Sequence, residues 1–108
     1  MTKISDPRPL TDRLIEAGES WADLNAAATA LENSIETVLA QILVDHFDQP
    51  EWKARALAKS DKRYWNILAD AVEARQRANK ARVRYDSGKA YVELARSAEA
   101  TRRQEMKL

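Results

Sequence analysis

Two rows of apolar and small residues recur every seventh position, and that spacing limits the chain to helices packed lengthwise against one another. In the C-terminal half Tyr64, Ala71, Ala78, Tyr85 and Val92 form one row, and Ile67, Ala74, Ala81, Gly88 and Ala95 the other. In the N-terminal half the rows are Leu14, Trp21, Ala28, Ile35 and Ile42, and Ala17, Leu24, Leu31 and Val38. These are the a and d positions of a coiled-coil seam. With only 2 Gly and 3 Pro in 108 residues, the turns that a β-rich fold needs are missing. The expected fold is all-α: one long antiparallel helical hairpin with a coiled-coil-like seam, built into an oligomeric bundle.

The punctuation gives the boundaries. Residues 1–9, which include Pro7 and Pro9, read as a flexible N-terminal arm, and 10–108 as a single helical domain. Thr11 suits an N-cap, and Leu10 with Ile15 has the spacing of a hydrophobic staple, so a helix is expected over about 11–47. Asp48-Gln49-Pro50 forms the turn, and Pro50 suits the first position of a helix over about 51–87. Ser87-Gly88 ends that helix, and a C-terminal helical segment follows over about 89–106. Gly18 and Ser60 are weaker break signals.

A turn near residue 49 pairs positions whose numbers total about 98. Trp21 then meets Ala74 and Ala78, Ile35 meets Tyr64, and Leu14 meets Tyr85, large against small. A break at Ser60 would slip that register. In it the first helix covers the second only to about residue 87. Beyond that point Tyr91, Val92, Leu94 and Ala95 form an apolar stripe, which either folds back as a third helix or serves as an oligomer interface.

The net charge of +1 hides a split: nine acids and three bases in residues 1–50, eight acids and fifteen bases in 51–108. Arg75, Arg77, Lys80, Arg82 and Arg84 lie within ten residues with no acid among them, and Lys89 follows. In an antiparallel pair e positions face e and g positions face g. The first helix offers Glu32 there, beside Gly18, Asn25, Ala27, Ser34, Leu39 and Gln41. The bases thus lack internal counter-charges, and the phosphates of DNA or RNA are the natural external ones. Tyr85 sits where it can stack on an unpaired base, or serve as a core residue. The plainer reading is a solvated face whose arginine stems pack on the seam. The spacing fits no zinc finger, basic zipper or RNA-recognition motif.

Catalysis finds no support. The absence of cysteine excludes disulfides and thiolate metal sites. His46, between Asp45 and Asp48, lacks converging ligands, and the helix macrodipole accounts for a histidine there. No nucleophile set or phosphate-cradling glycine loop is present. Trp21, Trp52 and Trp65 read as core or interface anchors. The expectation is a non-enzymatic protein with no catalytic residue, metal or cofactor. No apolar run approaches a membrane span, so a cytoplasmic protein with no membrane partner is expected.

The C-terminal run from Ala90 to Met106 resembles the ending of small all-helical proteins carried by bacteriophages and prophages. There a segment like Arg96-Ser97-Ala98-Glu99-Ala100-Thr101-Arg102 closes a long basic helix. Such proteins are often encoded near single-strand-annealing recombination genes. The resemblance implies a phage setting and DNA metabolism, and it transfers no catalytic residue. Two functions follow as expectations. One is an accessory protein that binds nucleic acid, or a protein that processes it, through the basic face. The other is a protein-interaction module, such as an inhibitor of a host nuclease or anti-phage defence complex, without nucleic-acid contact.

Overall fold

The computed structural model describes residues 9–107, so the predicted arm over 1–9 lies outside the described residues except for Pro9. The chain forms three helices: α1 (Leu10–Val44), α2 (Glu51–Lys59) and α3 (Lys62–Lys107). The two long helices make the expected antiparallel hairpin, and α2 is a short splint across its closed end. Among the described residues there is no strand.

Each boundary has a local cause. Pro9 rather than Thr11 stands at the start of α1, its carbonyl accepting from the Asp12 and Arg13 amides. The last turn of α1 tightens, with Asp45 and His46 donating three residues back to Ile42 and Leu43 at 3.0 Å. The helix therefore stops at Val44, short of the predicted residue 47. Pro50 precedes α2, as its missing amide favours. Between α2 and α3 the Ser60 hydroxyl turns back to the Ala56 carbonyl at 2.9 Å. Asp61 then caps α3 by accepting from the Arg63 amide at 2.8 Å.

The break at Ser60 is real and it moves the register. Leu14 meets Gly88, Trp21 stacks on Tyr85 with ring centroids 6.0 Å apart, and Glu32 meets Arg75. These pairs total 102 to 107 rather than about 98, because α2 occupies chain length that a simple turn would have left to the rods. Trp21 therefore faces Tyr85 instead of Ala74 and Ala78.

Gly88 corrects a second expectation. Neither glycine has a positive φ, and α3 runs unbroken through Gly88. Among the described residues no separate helix follows residue 88. A Cβ at Gly88 would lie 3.1 Å from Leu14 Cδ1, and one at Gly18 would lie 2.9 Å from Tyr85 Cε1. Both glycines serve close approach of the rods. The slipped register also carries cover further along α3, so Val92 is half-buried and residues 93–107 are all exposed.

The core is thin and built mostly of alanine. Ala28, Ala71, Ala78 and Ala81 are buried along the rods, and Ala54 and Ala58 on the inner side of α2. The thickest part gathers Leu39, Ile42 and Ala58, with Val38, Leu43 and Tyr64 against them. Phe47 lies in the turn and is 87% exposed. Arg63 fastens the closed end by reaching Asp45 at 2.7 Å and Asp61 at 3.0 Å.

Candidate functional site

The six bases that lie close together in sequence are divided by the seam. Arg75, Arg82 and Lys89 occupy e positions along one flank of α3. Arg77 and Arg84 occupy g positions along the other, with Lys80 between them.

On the e flank Arg75 is neutralised inside the chain. Arg75 spans the hairpin and holds Glu32 with two charge-assisted bonds, 2.6 Å from Nη2 and 3.0 Å from Nε. Its remaining donors reach Asn25 at 2.7 Å and Thr29 at 3.2 Å. That fork-to-carboxylate geometry is the strongest form of ion pair. Arg82 and Lys89 share Asp86 at 3.7 and 4.0 Å. Lys89 also lies 5.0 Å over the Tyr85 ring, which Trp21 stacks upon and Gly18 closely approaches. The Tyr85 ring is therefore engaged within the seam.

Glu32 makes a pH-dependent contribution with a definite sign. The Arg75 hydrogen bonds, outweighing desolvation, hold its carboxyl below the ordinary value of 4.5. Asp61 is likewise held below 3.8, by its side-chain and backbone hydrogen bonds with Arg63. In both cases the unfolded chain takes up the proton first as pH falls. The stabilisation is complete above the ordinary values and disappears as pH drops through the lower folded-state values. Thermal midpoints are expected to be flat from pH 7 to about 5 and to fall below about 4.5. The variant Glu32→Gln should show a shallower acid decline, and an unchanged decline would remove Glu32 as a cause.

The g flank differs. Arg77, Lys80 and Arg84 from α3 converge with Arg13 from α1 on a groove of ≈ 480 Å³ between the two rods. Ala17, Leu24 and Ala81 line its apolar part, and Ser20 and Glu16 its α1 side. Arg77 bonds Glu73 on its own helix at 2.6 Å, an exposed pair of little energetic weight. Glu16 is engaged in a contact of its own. Among the described residues Lys80 and Arg84 have no ion-pair partner, and Arg13 Nε is buried without a hydrogen-bond partner. Arg13 lies far from the basic run of α3 in the chain, so the sequence does not single it out. Carrying the heptad back one repeat from Ser20 places it at g, facing the same flank.

The apolar residues predicted as an oligomer interface are separated. Val92 is half-buried and lines a groove with Leu10, Leu14, Gly88 and Tyr91, the last 56% exposed, whereas Leu94 is 70% exposed and Ala95 is exposed. His46, Asp45 and Asp48 form no metal site, and no group of three or more candidate ligands exists among the described residues. No helix among them is long and apolar enough to cross a membrane.

Compared with known proteins, the chain matches no family model, no curated protein and no solved structure.

Proposed function

We propose that this protein is a non-enzymatic, phage-type accessory protein of the bacterial cytoplasm that binds nucleic acid, or a protein that processes it. The contact runs through the g-flank groove of Arg13, Arg77, Lys80 and Arg84. The observation that carries this reading is the presence of Lys80 and Arg84 in one groove with Arg13, without internal carboxylate partners. Arg75 drops to a supporting role because Glu32 already holds it, and Arg82 and Lys89 because they lie on that same flank and do not line the groove.

With three or four phosphates neutralised, the affinity for duplex DNA should fall with a log–log salt slope of roughly −3. Between 50 and 200 mM salt that slope amounts to a loss of about 60-fold. A mobility-shift titration with single- and double-stranded DNA tests this. Converting Arg13, Arg77, Lys80 and Arg84 together to Gln is expected to abolish the salt-sensitive binding. Converting Arg82 and Lys89 is expected to leave most of it. No binding at low salt, or equal binding by the fourfold variant, would end the reading.

The reading includes self-association, since a core this thin leaves Tyr91, Leu94 and much of the outer face of α3 exposed. A second reading, an inhibitory protein-interaction module without nucleic-acid contact, has its own support. Phe47 and Trp52 stand 87% and 73% exposed at the closed end, where an aromatic anchor for a partner would be placed.

A further inference from the structure

The hairpin leaves a second apolar stripe of α3 unused. Trp65, Val72, Val83 and Leu94 are 59%, 57%, 63% and 70% exposed. Their spacings of seven, eleven and eleven residues set each within about 20° of the last. The stripe lies roughly half a turn from Ala71, Ala78 and Ala81, which are buried against α1, so α1 cannot cover it. At one end Trp65, Leu68, Ala69 and Val72 border a shallow groove with Glu73 and Gln76.

We propose that this face pairs with a second copy of the chain, antiparallel, about a two-fold axis beside Asn79. The inference deepens the self-association reading, on which it rests, by naming the face. The stripe reads nearly the same in both directions about that point. Val72 meets the second copy's Val83 and Trp65 meets Leu94, each pair occurring twice, while Glu73, already bonded to Arg77 of its own helix, comes level with Arg84 on the rim. Their numbers total 155, 159 and 157, so a single register within about one helical turn serves all three. A parallel pair would instead set Glu73 level with Glu73 and Arg84 level with Arg84.

Gln76 and Asn79 fall near the crossing, where their amides can bond across the axis and set the register, as a polar residue in an apolar seam does. Lys80 comes level with the second copy's Arg77 on the rim. Exposed pairs of either sign contribute little, so the apolar residues carry the contact.

Light scattering on the full chain, free of nucleic acid, is expected to give twice 12.3 kDa as concentration rises. Val72→Glu with Val83→Glu sets like charges together at two places and is expected to weaken the dimer by about 100-fold. Val72→Glu with Val83→Lys restores opposite charges and should return it to within about 10-fold. Both positions are exposed, and circular dichroism checks that the helices persist. Because the chain has no cysteine, Asn79→Cys should yield a disulfide-linked dimer on oxidation and Thr101→Cys should not. A mass of 12.3 kDa at every concentration overturns self-association and this face together. A dimer indifferent to the paired glutamates, or cross-linked equally at residue 101, overturns this face and leaves self-association standing.

Discussion

Truncating Ile42 to alanine is expected to lower the unfolding free energy by about 2–5 kcal/mol. Ile42 is the largest fully buried side chain among the described residues, at 0% exposure. It sits where α1, α2 and α3 meet, with Leu39, Ala58 and Tyr64 around it. Alanine there leaves a void that the neighbours fill only in part, so the cavity cost adds to the lost transfer energy. A domain of ordinary stability has only about 5–15 kcal/mol in all. Most other buried positions are already alanine, so few large side chains remain to absorb the loss. Urea unfolding followed by circular dichroism gives the value directly. Ile42→Val should cost about 0.5–1.5 kcal/mol, and a cost below that for alanine would show that the closed end does not anchor the fold.

The second large effect is expected at the other end of the seam. Trp21→Ala removes the stacking partner of Tyr85, whose ring lies 10° from parallel at 6.0 Å. Full truncation of a buried aromatic costs about 3–5 kcal/mol. Trp21 is only half-buried, so about 2–3 kcal/mol is expected. A double-mutant cycle with Tyr85→Ala isolates the contact itself and should return about 0.5–1.5 kcal/mol of coupling. Coupling near zero would mean that the two rings contribute independently. The contact belongs to the slipped register alone, so the same cycle tests the alignment of the rods.

That alignment marks the limit of what the residues disclosed in advance. The seven-residue rows foretell which faces of α1 and α3 meet, and Ala71, Ala78 and Ala81 are buried as their row requires. The facing of like-lettered flanks also holds, since Glu32 at e finds Arg75 at e. The axial offset was not legible. It depends on the length of α2, and Ser60 reads equally well as a helix interior or a stop until Asp61 is seen capping the next helix. Gly88 misled for a related reason. A glycine after a serine looks like a terminator in one dimension, whereas its use is to admit Leu14. The basic run hid its own division as well. Spacing by two residues places Arg75 and Arg77 close in the chain and on opposite flanks of the seam.

The molecule extends 83 × 26 × 21 Å with a radius of gyration of 23.3 Å, where a compact chain of this length would have about 13 Å. Its friction in solution is accordingly that of a rod. On a sizing column calibrated with spherical standards it elutes early, mimicking a heavier particle, and end-over-end rotation is much slower than spin about the long axis. Sedimentation, in which frictional drag and buoyant mass enter separately, distinguishes a lone rod from a pair lying side by side.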